Sequence, residues 1–186
     1  MLEQEREELM QIIRELSYEQ RNVTLASGRK SNFYFDGKQT TLHPRGAILV
    51  GKAFYAALTK FSDKVEAVGG LTLGADPIAT ATSMISALDG QPIPAFIIRK
   101  EPKGHGTGQW LEGRKNVPPG TKVVIVEDVV TTGGSSIKAI DRAREEGLEV
   151  LGVITLVDRE EGGSEAFAEL NMPFYAIFTK SMVASS

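Results

Sequence analysis

One stretch of the chain combines carboxylates with a loop of small and hydroxyl-bearing residues: VVIVEDVVTTGGSS, residues 123–136. Glu127 and Asp128 end an apolar β-branched run, and two valines and six consecutive Thr, Gly or Ser residues follow. The glycines stand where a helix is predicted to begin, and the free N–H groups and dipole of a helix start favour an anion. Hydroxyl donors are added by Thr131, Thr132, Ser135 and Ser136. This composition is typical of a phosphate-binding loop.

The two acids need a separate explanation, because carboxylates repel a bare phosphate. They fit a ligand that also offers sugar hydroxyls, or a Mg²⁺ ion that the phosphates share. The alternative is that Glu127 and Asp128 are solvated acids at a strand end and that the loop is an ordinary helix cap. The complete order of features favours the functional interpretation. The chain has no GxxxxGK[ST] and no GxGxxG after a strand, so nucleotide triphosphates and dinucleotides lose their usual support.

The predicted elements place this stretch at an edge of a sheet. Continuous apolar runs at 65–69, 94–98, 122–127 and 149–157 alternate with helical patterns, which predicts an α/β fold with a mostly parallel central sheet flanked by helices. Ligands of such sheets bind at the carboxyl ends of the strands. Shorter predicted elements are a helix at 3–16, strands at 22–26 and 32–36, a loop at 101–120 and a last strand at 173–180.

Size and composition fit one domain over residues 1–186, in which residues 1–40 and the C-terminal strand form a small hood. A net charge of −3 argues against a nucleic-acid partner, and no apolar run approaches the ~20 residues that a membrane span needs. The chain has no cysteine and its N-terminus lacks the order of a signal peptide, so we expect a cytoplasmic protein.

The stretch 123–136 resembles the phosphoribosyl-pyrophosphate motif of the type I phosphoribosyltransferases. The resemblance implies that the loop holds the ribose 5-phosphate and that the acids hold the ribose hydroxyls. It further implies Mg²⁺, bound through pyrophosphate and ribose hydroxyls with Glu127 and Asp128 as candidate ligands. The residues implied to bind phosphoribosyl pyrophosphate are Arg99, Lys100, Lys103, His105, Glu127, Asp128, Val129, Val130, Thr131, Thr132, Gly133, Gly134 and Ser135.

Two further segments resemble the orotate-using members of that family. SGRKSNFYFD at 27–36 offers aromatic rings to a flat pyrimidine and positive charge to an acidic base, and LVDRE at 156–160 offers a guanidinium. The implied orotate-binding residues are Thr131, Arg159, Tyr34, Phe35 and Arg29. The alternatives are that the aromatics belong to the core and that Arg159 forms a surface ion pair with Asp158, Glu160 or Glu161.

The segment RKEPKGHGTG at 99–108 carries four potentially cationic groups among glycines. Such groups suit a departing pyrophosphate, and the implied catalytic residues are Lys103, His105 and Asp128. In the resembling enzymes this loop reaches the neighbouring active site, which implies a homodimer that shares loop 99–110 between subunits.

The implied reaction joins orotate to phosphoribosyl pyrophosphate, giving orotidine 5′-monophosphate and pyrophosphate. Two expected lysines are missing, since Ala26 precedes Ser-Gly-Arg and Leu73-Gly74 replaces Tyr-Lys-Gly. A purine or other-base phosphoribosyltransferase therefore stays open as an alternative. A non-catalytic regulator that senses phosphoribosyl pyrophosphate is the second alternative.

Overall fold

The structure is a computed structural model that describes residues 1–24, 30–102 and 109–185. Its elements, in chain order, are α1 (Glu3–Ile12), a π-helical turn (Ile13–Ser17), β1 (Tyr18–Thr24), β2 (Lys30–Phe35), α2 (Lys38–Thr41), α3 (Pro44–Ala57), a 3₁₀ turn (Leu58–Lys60), β3 (Ala67–Leu71), α4 (Ala75–Leu88), β4 (Ala95–Ile98), β5 (Leu111–Glu112), β6 (Lys122–Val130), α5 (Gly134–Glu145), β7 (Glu149–Asp158), α6 (Gly163–Glu169), β8 (Phe174–Thr179) and α7 (Lys180–Ala184).

Six strands form the central sheet in the order β5-β4-β3-β6-β7-β8. All neighbouring pairs are parallel except β4–β5. The predicted mostly parallel α/β sheet is therefore confirmed. Because β3, β6 and β7 are neighbours and parallel, their carboxyl ends meet at one edge of the sheet.

The unbroken apolar run of β6, residues 123–126, follows from the burial of both faces of the strand. Its residues Val124 and Val126 belong to a core cluster with α3 and α4, whereas Val123 and Ile125 belong to a second cluster with α5. Successive side chains of a strand point to opposite faces, so a strand covered on both faces needs apolar residues at every position.

A two-stranded antiparallel sheet, β1–β2, forms a hood with α1 at the N-terminal part of the chain. Phe33 and Phe35 of β2 are buried in the first core cluster, where the Phe33 ring stacks on Phe35 and lies tilted against Tyr18. The C-terminal strand was expected in this hood, but β8 pairs in parallel with β7 and is an edge of the central sheet. Its apolar run is long enough to complete the ladder beside β7.

Several boundaries differ from the sequence prediction. β1 begins at Tyr18 rather than residue 22, and β5 and α7 lie in segments for which no element was expected. Strand β6 continues to Val130, so the two acids lie inside the strand rather than at its tip. Pairing with β7 extends to Val130↔Asp158 and keeps the chain extended through the polar residues.

No helix in the described residues has the length and apolar character that crossing a membrane requires.

Candidate active site

The phosphate-type loop joins β6 to α5 and lines a cavity of about 290 Å³. Gly133 adopts φ +83°, a backbone conformation that is strained for a residue with a side chain, and α5 begins at the next residue. The N-terminus of this twelve-residue helix therefore opens into the cavity. The lining residues are Glu127, Val129, Val130, Thr131, Thr132, Gly133, Gly134, Ser135, Ser136 and Lys138, which include every predicted residue from 129 to 135.

Glu127 and Asp128 continue the alternation of β6 onto its two faces. Glu127 lies on the α5 side, where the Ser136 hydroxyl donates a hydrogen bond of 3.4 Å to its Oε2. Asp128 lies on the hood side, with its Oδ2 at 3.8 Å from the Lys38 Nζ, while its Oδ1 accepts the Val129 N–H at 2.9 Å. The two carboxylates are 6% and 5% exposed, so they are not the solvated acids of the alternative interpretation.

Gly74 is the point at which the two carboxylates converge, although they leave the strand on opposite faces. A Cβ atom at this position would lie 2.5 Å from Asp128 Oδ1 and 2.7 Å from Glu127 Oε1. Gly37 meets Asp128 from the hood, since a Cβ there would lie 2.8 Å from the Asp128 Cβ. The absence of side chains at these two positions allows both acids to face one space.

Burial and the neighbouring Asp128 carboxylate raise the pKa of Glu127 to about 8. Two acids this close and this buried cannot both ionise readily without a positive charge between them. The pair therefore favours a ligand that supplies a cation or hydrogen-bond donors.

We expect the free energy of unfolding of the ligand-free chain to fall between about pH 5 and about pH 8 because of Glu127. In that window the unfolded chain has released a proton that folded Glu127 retains, so raising the pH favours unfolding. Urea unfolding across the window should show a shallower pH dependence for Glu127→Gln. The control is Glu169→Gln, on the exposed side of α6, which should follow the wild type. Equal slopes for wild type and Glu127→Gln would contradict the raised pKa.

A second cavity, of about 220 Å³, adjoins the acids on the side of β3. Glu127 and Ser135 line both cavities, so the acids lie between two polar spaces. The lining residues of the second cavity are Lys38, Leu71, Thr72, Leu73, Gly74, Lys100, Glu127, Asp128 and Ser135. Lys100, one of the cations predicted to bind the donor, lines this second cavity.

Arg99 lies at the base of the loop that follows β4. Its N–H donates to the Trp110 carbonyl at 2.9 Å, and its guanidinium contacts Glu112 at 3.0 Å. These contacts hold the two ends of the loop together. Its predicted contact with a ligand stays a prediction, as do the roles of Arg29, Lys103 and His105, which lie outside the described residues.

Arg159 follows β7 and is buried, with 7% exposure. Its Nη2 donates to Glu161 Oε1 at 3.1 Å and to the Phe33 carbonyl at 3.2 Å, and the guanidinium lies 5.5 Å from the Phe33 ring centroid. The ion pair with Glu161 was foreseen, but at the surface. The structure instead places this guanidinium between the central sheet and the hood.

Tyr34 and Phe35 do not share a face. Phe35 is buried in the core, whereas Tyr34 lies against the Arg21 guanidinium, 3.9 Å from its ring centroid. Neighbouring residues of β2 point to opposite sides, so the two rings do not form one wall. The predicted contacts of Tyr34 and Phe35 with the base stay predictions. The alternative that these aromatics serve the core holds for Phe35.

Sequence reasoning named Ser136 as a hydroxyl donor but missed Gly37, Lys38 and Lys138, which also lie at the site. Lys138 could have been found from the start of α5, because residues there surround the helix N-terminus. Gly37 and Lys38 carry no such local signal, since they reach the acids from a segment about 90 residues away in the chain.

Comparisons with known proteins agree with this geometry. A family model for the phosphoribosyl transferase domain matches residues 36–170. The chain is 51% identical over 174 residues to the orotate phosphoribosyltransferase of Nostoc sp., covering 94% of this chain and 82% of that protein.

Two solved structures of Mycobacterium tuberculosis orotate phosphoribosyltransferase are also similar. The complex with Fe(III) dicitrate has a TM-score of 0.84 at 37% identity, covering 97% of this chain and 99% of that one. The complex with 5-phospho-α-D-ribosyl 1-diphosphate has a TM-score of 0.80 at 36% identity, with the same coverage of both chains.

Proposed function

The chain belongs to the phosphoribosyltransferase family, and from this premise we propose that it is an orotate phosphoribosyltransferase. It transfers the 5-phosphoribosyl group from phosphoribosyl pyrophosphate to orotate, which yields orotidine 5′-monophosphate, a pyrimidine nucleotide, and pyrophosphate. The observation that carries this proposal is the pair of buried acids between two polar cavities, in a chain half identical to a named orotate phosphoribosyltransferase.

The two cavities match the two charged ends of the donor. The 5-phosphate fits the first cavity, where the start of α5 and the hydroxyls of residues 131–135 supply donors. Glu127 and Asp128 then face the ribose and accept hydrogen bonds from its 2′ and 3′ hydroxyls. Pyrophosphate on C1 extends into the second cavity, beside Lys38 and Lys100.

This arrangement supports a reaction in which the C1–oxygen bond loosens before the base bonds to C1. Positive charge develops on the ribose, and the buried carboxylates of Glu127 and Asp128 lie where they stabilise it. Orotate is acidic, so the site needs little general-base catalysis. Lys103 and His105 act on the departing pyrophosphate as charge stabilisers or as proton donors, from the loop that Arg99 and Trp110 close.

The donor set fits a Mg²⁺ ion. Glu127 and Asp128 offer carboxylate oxygens, which Mg²⁺ prefers, and their crowding leaves an excess of negative charge that a cation relieves. The described residues contain no cluster of three or more acidic, His or Cys side chains, so an all-protein cage is not available there. Mg²⁺ would then share its coordination with substrate oxygens, and it would neutralise charge on the pyrophosphate.

The base is expected on the β7 side of the acids, where Arg159 lies. A guanidinium offers paired donors to a carboxylate, and orotate carries one that purines lack. The relatives named as orotate phosphoribosyltransferases agree with this choice, and a purine substrate is not favoured. A non-catalytic sensor is equally not favoured by those names.

The direct test supplies Mg²⁺, phosphoribosyl pyrophosphate and one base at a time, and follows the release of pyrophosphate with every base and the loss of absorbance with orotate. Turnover with orotate and not with adenine, guanine or hypoxanthine is the expected result. Turnover with a purine alone would overturn the base assignment, and no turnover with any base would leave the sensor as the better description.

Arg159→Lys is expected to raise KM for orotate by roughly 10- to 100-fold, because one ammonium cannot replace a planar pair of donors. KM for phosphoribosyl pyrophosphate should change far less. The matched control is Arg144→Lys on the exposed side of α5, which should behave as wild type. A thermal melt checks the hood, since Arg159 also bonds the Phe33 carbonyl. Equal changes in both KM values would contradict a role at the base.

We also propose a homodimer in which loop 99–110 serves the neighbouring site. An apolar surface along α4 supports it, because Leu73, Pro77, Met84 and Leu88 recur at helical spacing and Leu73, Met84 and Leu88 are largely exposed. Sedimentation of the purified chain should give the mass of two copies. The single-domain organisation and the cytoplasmic location stay predictions.

A further inference from the structure

Lys38 lies at the site as a cation that no sequence motif indicated. It opens the short helix α2, directly after the hood strand β2, and its side chain lines the second cavity. Its Nζ lies 2.8 Å from Asp36 Oδ1 and 3.8 Å from Asp128 Oδ2. The side chain is 43% exposed, so it can reach a ligand in that cavity.

The second cavity collects negative charge, and Lys38 supplies one of the positive charges that offset it. Its described lining contains the two carboxylates of Glu127 and Asp128, and pyrophosphate adds further negative charge beside them. Only Lys38 and Lys100 supply a full positive charge among the described lining residues. Lys100 belongs to the stem of the loop at 99–110, whereas Lys38 approaches from the hood.

The position of Lys38 is fixed by its neighbours. The Asp36 carboxylate accepts both the Lys38 ammonium and the Lys38 backbone N–H, the latter at 3.2 Å. The Gln39 side-chain amide donates to the other oxygen of Asp36 at 3.1 Å. Gly37 lets this turn press against Asp128, because any side chain there would collide with that carboxylate. The ammonium is thus held at the mouth of the cavity before a ligand arrives.

We propose that Lys38 is a substrate-binding residue that contacts the pyrophosphate group of phosphoribosyl pyrophosphate and of the product. Asp36 acts as a positioning residue that aims the ammonium. The proposal rests on the proposed function for the identity of the donor. It gives a residue beside the hood a direct contact with the leaving group, and it supplies positive charge at a place where Gly74 supplies none.

The order of the strands favours pyrophosphate over the base as the partner of Lys38. The second cavity is bounded by Leu71–Gly74 at the end of β3, on one side of β6. Arg159 lies at the end of β7, on the other side of β6. With the ribose held over β6, the pyrophosphate and the base lie on opposite sides of C1. The pyrophosphate then points towards β3 and the base towards β7.

The test compares Lys38→Ala, Lys38→Arg and wild type by steady-state kinetics and by calorimetric titration with pyrophosphate in the presence of Mg²⁺. We expect Lys38→Ala to raise KM for phosphoribosyl pyrophosphate and Kd for pyrophosphate by roughly 10- to 100-fold, as for loss of a charged hydrogen bond. KM for orotate should stay within about threefold, and Lys38→Arg should restore most of the affinity.

Lys64→Ala is the matched control, since Lys64 is an exposed lysine beside β3 at the opposite end of that strand. It should match wild type in every measurement. Unchanged pyrophosphate affinity in a folded Lys38→Ala variant would overturn the proposal, and so would a rise confined to KM for orotate. If wild type turns over no orotate and Lys38→Ala still loses pyrophosphate affinity, the proposed base fails while the role of Lys38 stands.

Asp36→Asn tests the positioning of the Lys38 ammonium separately from its contact with pyrophosphate. It leaves the ammonium present but removes the charge that aims it, so it should weaken pyrophosphate binding less than Lys38→Ala does. In the double variant, Asp36→Asn should add little to Lys38→Ala, because the two changes act through one ammonium. Full additivity would show that Asp36 does not act through Lys38.

Discussion

Replacing Asp128 with asparagine is expected to lower kcat/KM for phosphoribosyl pyrophosphate by roughly 10²- to 10³-fold, the cost of losing one preorganised charge at a developing ion. Asparagine keeps the volume of the side chain and can still fit between Gly37 and Gly74, so the change removes charge rather than packing. Steady-state kinetics with saturating orotate measure it.

The free energy of unfolding of Asp128→Asn should rise or stay unchanged, because a neutral amide replaces a buried carboxylate whose charge opposes ionisation of Glu127. A rise in the midpoint of urea unfolding together with lost activity would mark Asp128 as a functional group held at a structural cost. Asp141→Asn, on the exposed side of α5, is the control. Activity of Asp128→Asn within about threefold of wild type would refute the assigned role.

Lys103→Ala should lower kcat by roughly 10²- to 10³-fold and leave the affinity for both substrates within about threefold. The reason is that a loop cation which meets charge as it leaves contributes to the transition state and not to the ground state. Single-turnover measurements give the chemical step, and Lys115→Ala, an exposed lysine between β5 and β6, is the control. Equal losses in kcat and in affinity would contradict a transition-state role.

The same variant tests the shared loop. If Lys103 of one subunit serves the site that holds Asp128 of the other, mixing inactive Lys103→Ala with inactive Asp128→Asn should recover activity. A mixed dimer then contains one site with both residues intact. No recovery, in a mixture shown to exchange subunits, would place the loop over its own site.

The sequence predicted where the loop between β6 and α5 lies, because its residues are consecutive, and its phosphate binding stays a prediction. A run of Thr, Gly and Ser before a helix has the same consequence in any fold of this class. The parallel sheet was equally accessible, since β6 carries apolar residues at successive positions and only burial on both faces explains them.

The remainder of the site depends on contacts between distant segments. Nothing in the local sequence shows that Gly37 touches Asp128 or that Arg159 lies beneath Phe33. Tyr34 and Phe35 were predicted to wall one base, although side chains of adjacent strand residues point to opposite faces. The end of β6 was also placed too early, since a parallel neighbour can hold polar residues in an extended chain.

The hood and the central sheet form two separate ladders in the described part of the chain, and Arg159 joins them through the Phe33 carbonyl. Local opening of β1–β2 can therefore have its own free energy, smaller than that of global unfolding. Suppose that the base binds only molecules in which the β1–β2 ladder is formed. Its apparent dissociation constant then equals the intrinsic one divided by the fraction of molecules in that state. Substitutions such as those in the Tyr18–Phe33 contact would then weaken substrate affinity through that population, from positions that never meet the ligand.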